Sequence, residues 1–168
     1  MKRQEYLVRT TFNYPGRYFV LATTVEEAQK LVKEHCWKYP ARVRITQPYQ
    51  DDNNSELVGW DFSHTLGGKK IIGEVAVSNR NLPGMLRADG TKKRSKKKCY
   101  AVEVVFSRWG AFYVYATSKD KAREFVEKHG QQRNPVYRST LPPDEVAWEF
   151  PRKNITKIIG EITEIEGE

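Results

Sequence analysis

Cysteine is scarce in this chain. Cys36 and Cys99 are its two thiols among 168 residues, and neither sits in the paired spacing of a zinc site or a dithiol redox motif. Apolar runs are short, and none approaches the 18 or so residues that a membrane-spanning helix needs. The opening MKRQEYLVRTTF has no apolar stretch of the kind that drives secretion. Few thiols and no leader together predict a reducing, cytoplasmic setting with both cysteines free. Histidine is also rare, at three. His35 and His129 each close a predicted helix, where a protonated imidazole favours the dipole. His64 stands in "DFSHTLGG" without a second His-x-Thr to complete a two-histidine phosphoesterase pattern. There is no P-loop, no nucleophile elbow and no HExxH. "LGGKK" (66–70) is a lone Gly-Gly-Lys turn, and "QDDNNSE" (50–56) reads as a solvated acidic loop. The expectation is a non-enzymatic protein with no catalytic residues, no cofactor and no metal.

What the chain does contain is enough apolar material for a core: 39% hydrophobic and 12% aromatic residues. It also carries a net charge of +8, unevenly placed. Residues 1–78 hold 11 Lys/Arg against 9 Asp/Glu, residues 79–99 hold 8 against 1, and residues 100–168 hold 10 against 11. Nearly all the excess therefore lies in one connector.

On either side of that connector the chain repeats itself. Tyr6–His35 aligns without gaps on Tyr100–His129 at an offset of 94, with ten of thirty positions identical. "VGWDF" (58–62) returns as "VAWEF" (146–150), and "KIIGEV" (70–75) as "KIIGEI" (157–162). Such self-similarity is the mark of an internal duplication. Both copies read alike. Tyr6, Val8, Thr10 and Phe12 alternate as one face of a strand, as do Tyr100, Val102, Val104 and Phe106. A turn is expected at "NYPG" or "SRWG", with Gly16 and Gly110 suited to positive φ. A second strand, "RYFVLAT" or "AFYVYAT", leads into a helix. Thr24 and Glu27 are spaced as a capping box, and Ala28, Leu31 and Val32 form an apolar stripe echoed by Ala122, Phe125 and Val126. Pro40 is placed to end the first helix and Gly130 to stop the second. Later strands are expected around 57–63, 70–78, 145–150 and 156–165, with "ARVRITQ" (41–47) a further candidate.

The predicted fold class is α+β: two tandem ββα-plus-strands modules, each an antiparallel sheet with one covering helix. The predicted boundaries are a first repeat at 1–78, a basic connector at 79–99 and a second repeat at 100–168. Modules of 70–80 residues have marginal cores alone. They are expected to pack as a pseudo-two-fold internal dimer in a monomeric chain. Exposed helix positions reverse sign between copies, Glu27 to Lys121 and Lys30 to Glu124 among them. That suits pairs within each helix or complementary faces between the two.

The connector reads "NRNLPGMLRADGTKKRSKKKC". Lys92, Lys93, Arg94, Lys96, Lys97 and Lys98 repel one another and favour an extended, solvated chain. It reads as a phosphate-binding arm, a solubilising linker or a nuclear-import signal. Two aromatic–cation pairs at the expected hairpin tips, Tyr14 with Arg17 and Trp109 with Arg108, suit stacking on a base or entry into a partner's pocket. Arg42 and Arg44 are further candidates for phosphate contact. Trp60 and Trp148 are expected in the core. If Tyr18, Val20 and Ala22 face the helix, then Phe19, Leu21, Tyr113 and Tyr115 face away, to pack or to stack bases. Two functional expectations follow. One is a protein that associates with nucleic acid, single-stranded RNA slightly preferred because sheets and aromatic tips suit stacking. The other is a protein-interaction module, such as a phage- or plasmid-type inhibitor or adaptor that covers a partner's surface.

Overall fold

The computed structural model describes residues 2–38, 43–45, 55–62, 68–71, 75–132 and 136–165. In chain order it contains β1 (Gln4–Ala22), α1 (Val25–His35), β2 (Cys36–Lys38), β3 (Val43–Ile45), β4 (Glu56–Phe62), β5 (Gly68–Ile71), β6 (Ala76–Val77), β7 (Lys98–Ala116), α2 (Lys119–His129), β8 (Gly130–Gln132), β9 (Tyr137–Ser139), β10 (Val146–Glu149) and β11 (Thr156–Glu164). The class is mixed α+β, mostly strands with two helices and a curled antiparallel sheet.

The axis of the sheet is the pair β1 and β7, nineteen residues each, antiparallel in unbroken register from Gln4 opposite Ala116 to Ala22 opposite Lys98. Shorter strands flank this pair. Along β1 run β11, opposite Tyr6–Asn13, and β10, opposite Arg17–Val20. Along β7 run β6, β5 and β4 in turn. Two small ladders, β2 with β9 and β3 with β8, complete the pairing.

The expected hairpins at "NYPG" and "SRWG" do not form. Both segments continue their strands, so each expected pair of short strands is one long strand, and strands of both halves share one sheet. Side-chain parity explains this. A two-residue turn at Tyr14-Pro15 would set Phe12 on the same face as Arg17, and Tyr18 and Val20 on the opposite one. A continuous strand keeps Phe12, Tyr14, Tyr18, Val20 and Ala22 on one face, and all five are buried there. Pro15 falls between the end of β11 and the start of β10, at a gap in the flanking ladder of the kind that tolerates proline. Gly16 and Gly110 are needed for close approach rather than for positive φ, which among the described glycines Gly90 alone has. A Cβ on Gly16 would lie 2.5 Å from the Glu149 carbonyl oxygen, and one on Gly110 2.3 Å from that of Asp61.

Both helices lie on the even-numbered face, and their stripes enter a single core with Val8, Phe12, Tyr18, Phe106 and Phe112. Thr24 caps α1 by accepting from the Glu27 N–H at 3.1 Å, and Ser118 caps α2 through Lys121 N at the same distance. Glu27 reaches back to Thr23, whose hydroxyl and backbone N–H hold its carboxyl below the ordinary value. Neither helix stops as expected: both run directly into short strands, and Gly130 has an ordinary negative φ. The α2 carbonyls of Val126 and Glu127, and that of Gly130 just beyond, instead receive Lys157 Nζ at 2.6–2.8 Å. Within α2, Lys121 pairs with Glu124 at 3.6 Å.

An aromatic group fills the middle of the core. Tyr137 stacks on Phe150 with centroids 3.6 Å apart, and Phe106 and Tyr18 approach the same Phe150 ring. Trp60 and Trp148, expected there, are 45% and 40% exposed. They occupy equivalent places on the outer strands β4 and β10, opposite Phe112 and Tyr18. The Trp148 ring packs against Tyr18, with centroids 5.8 Å apart.

Candidate nucleic-acid interface

The connector between β6 and β7 is anchored at its root. Leu82 is buried beneath it together with Phe19, Leu21 and Cys99, and Met85, Ala101 and Ala147 pack at the margin. Phe19, Leu21, Cys99 and Ala101 are odd-numbered positions of β1 and β7, on the sheet face opposite the helices. Phe19 and Leu21 do face away from the helix, as expected, and they are packed by this segment. Their counterparts differ: Tyr113 is half-buried, and Tyr115 is exposed beneath the Arg3 guanidinium at 5.9 Å.

From that anchor the chain folds locally. A 3-10 turn at Pro83–Met85 is closed by Met85 N donating to Leu82 O at 2.9 Å. A small hairpin follows, with Leu86 bridged to Lys92 and Lys93 N donating to Met85 O at 2.8 Å. Its tip needs Gly90 at φ 86°. Asp89 accepts from the Thr91 hydroxyl and N–H, which lowers the carboxyl's pKa. The expected extended chain is therefore a folded segment as far as Lys93. Apolar burial at Leu82 and Met85 offsets the repulsion among the lysines, whose side chains remain in water.

Lys92, Lys93, Arg94, Lys96, Lys97 and Lys98 are all exposed. Lys97 is 3.8 Å from Glu145 across a short gap, and Lys98 opens β7. Two further cations join this surface. Arg80 lies over the Phe19 ring at 4.6 Å, and exposed Arg17 approaches the same ring at 6.0 Å. Arg80, Leu82 and Met85 were missed by a reading that weighed proline, glycine and charge. The signal was the apolar trio Leu82, Met85 and Leu86 inside an otherwise polar linker.

Compared with family models, curated proteins and solved structures, the chain matches none.

The tip residues separate. Tyr14 is 1% exposed and Arg108 is 3% exposed, both on the helix-facing side of continuous strands. They correct the expectation of exposed tips, because no turn exists there to expose them. Burial raises the pKa of the Tyr14 hydroxyl, and nearby Arg108 partly opposes this. Trp109 remains 52% exposed, opposite Thr11 on the connector's side of the sheet. Eight residues of β7 separate it from Ala101, roughly 26 Å of strand. Arg44 lies in β3, whereas Arg42 and His64 fall outside the described residues. His35 Nδ1 contacts Thr140 Oγ1 at 2.6 Å, and His129 packs on Phe125, which suits structural roles. Among the described residues, no group of three or more His, Cys, Asp and Glu is placed to hold a metal ion. No helix among them is long and apolar enough to cross a membrane.

Proposed function

We propose that this protein associates with nucleic acid through the connector, with single-stranded RNA slightly preferred and without catalysing a reaction. The observation that carries the reading is six exposed cationic side chains between Lys92 and Lys98, on a segment whose root is fixed by buried Leu82. Anchoring fixes the root of the segment against Phe19, the ring that Arg17 and Arg80 approach, so a bound strand meets a surface rather than a loose tail. With about six phosphates neutralised, the logarithm of affinity should fall against that of salt concentration with a slope near −4 for a single strand. Fluorescence anisotropy with labelled RNA and DNA oligonucleotides across salt concentrations tests this. Absence of binding at low salt, or an unchanged slope after all six cations become glutamine, would refute it.

The scaffold is proposed to be an internal duplication arranged about a pseudo-two-fold axis. Supporting this, every β1 residue faces the β7 residue whose number completes a sum of 120, so Asn13 faces its own repeat counterpart, Ser107. Ser107 Oγ donates to Asn13 Oδ1 at 2.7 Å. The small ladders also pair reciprocally. Cys36 pairs with Ser139, while their counterparts at an offset of 94, Gly130 and Ile45, also pair. Reciprocal pairing of this kind is what an isologous contact produces.

A protein-interaction module is the second reading. Trp60, Trp109 and Trp148, each 40–52% exposed, favour it because interfaces are enriched in tryptophan. Capture of a partner that survives nuclease treatment, weakened by Trp109→Ala, distinguishes it.

A further inference from the structure

A cavity of about 260 Å³ lies between the connector and the turn before β10. Its apolar part is Leu21 and Met85, and its charged part is Lys92, Lys93, Lys97 and Glu145. Three lysines against one glutamate give the lining residues a formal charge of two positive. Ser95, also in the lining, accepts the Lys97 N–H at 3.0 Å through Oγ, which leaves its O–H available as a donor. The walls are held by folded chain. Lys92 and Lys93 sit on the hairpin closed onto Met85 and Leu86. Gly84 lies against the turn that carries Glu145, with room for no side chain: a Cβ there would be 2.8 Å from Asp144 O.

We infer that this cavity takes a terminal phosphomonoester attached to a nucleoside, either a free nucleotide or the phosphorylated end of a strand. The charge decides the class. A phosphomonoester above its second pKa, near 6, carries close to two negative charges and three acceptor oxygens. A phosphodiester inside a strand carries one charge, which leaves the cavity under-neutralised. The apolar floor suits the ribose or base that follows the phosphate, since such sites combine apolar walls with a few placed polar groups. In the strand-end form this rests on the nucleic-acid reading above and sharpens it: the exposed Arg94, Lys96 and Lys98 track the backbone while the cavity seats the end.

The test uses the full chain and two labelled single-stranded RNA oligonucleotides of one sequence, one 5′-phosphorylated and one 5′-hydroxyl, with AMP and adenosine as competitors. The phosphorylated strand is expected to bind about tenfold tighter at neutral pH, the gain of one charge-assisted contact. That ratio should shrink as pH falls below about 6 while staying above one, because the monoester keeps one of its two charges. Lys93→Gln and Lys97→Gln should each abolish it, while Lys96→Gln, outside the cavity, should leave it intact. Competition by AMP but not adenosine marks a site open to free nucleotides, and competition by neither marks one that requires the strand. Equal affinity for the two strands at neutral pH overturns the inference while leaving the connector as a general phosphate-binding surface. If neither strand binds but AMP does by calorimetry, the cavity stands and the nucleic-acid reading falls. If nothing binds, both fall.

Discussion

Raising the pH should unfold this protein abruptly, because three tyrosine hydroxyls are buried close together. Tyr14, Tyr18 and Tyr137 are 1%, 0% and 6% exposed. Tyr18 donates to the carbonyl oxygens of Trp37 and Arg138 at 3.1 and 3.2 Å, bonds that an ionised phenol cannot make. Burial is the main cause that pushes all three well above the ordinary phenol value, and neighbouring tyrosines add to it for Tyr18 and Tyr137. The unfolded chain binds fewer protons at these sites once the pH passes about 10. The folded state's advantage is then complete below about pH 10 and shrinks as the pH rises above it. At pH 11 each tyrosine favours the unfolded chain by about 1.4 kcal/mol, so three contribute about 4 kcal/mol; at pH 12 they contribute about 8 kcal/mol. For a stability of roughly 5–8 kcal/mol, the lower part of the typical range, the transition should fall between about pH 11 and 12. Lys157 acts with the opposite sign. Burial lowers its pKa, so the folded state gains as the pH rises toward the ordinary lysine value, one group set against three phenols. Tyrosinate absorbance and far-ultraviolet circular dichroism, recorded on one pH series, make the check. Tyr14, Tyr18 and Tyr137 should ionise only as the dichroism collapses. Tyr18→Phe should remove about one third of the alkaline loss. Ionisation of every tyrosine near pH 10 with the fold intact would refute the reasoning.

Further outcomes test other contacts. Lys157→Met leaves the α2 C-terminus without its cation, and should lower stability in urea by about 1–2 kcal/mol, a figure reduced because the lysine is only half-buried. Gly110→Ala places a Cβ against the Asp61 carbonyl and the Phe62 backbone and should cost about 3 kcal/mol in the same assay. Leu82→Ala should cost about 2–3 kcal/mol and raise the hydrogen-exchange rates of the connector amides, because it removes the buried anchor under a cationic segment. Trp109→Ala should change stability by less than about 0.5 kcal/mol, as expected for a half-exposed ring.

Helices and strand faces were legible in the sequence. Thr24 marks the start of α1, and Ala28, Val32, Ala122 and Val126 enter the core as their spacing predicts. The break at the expected hairpins was not legible by turn composition, since "NYPG" contains the residues turns favour. The uninterrupted even-numbered pattern from Tyr6 to Ala22 was the better guide. Trp60 was misplaced for a different reason. Period-two alternation assigns a face but not a depth, and a ring on an outer strand has solvent on one side. In the connector, charge was legible and anchoring was not, because burial of Leu82 depends on Phe19, Leu21 and Cys99, which lie far away in the chain.

By itself the sequence determined where charge collects, which residues share a strand or helix face, and that the two halves use the same local pattern. Those properties depend on neighbours a few positions apart, within reach of backbone geometry and propensity. Only the tertiary structure decided which strand pairs with which, that Tyr14 and Arg108 lie inside, and that Lys92, Lys93 and Lys97 border one cavity. A strand edge offers the same N–H and C=O groups to every candidate partner. The choice falls to the arrangement that buries Phe12, Tyr14 and Tyr18 on one face together, and no short stretch of sequence contains that comparison.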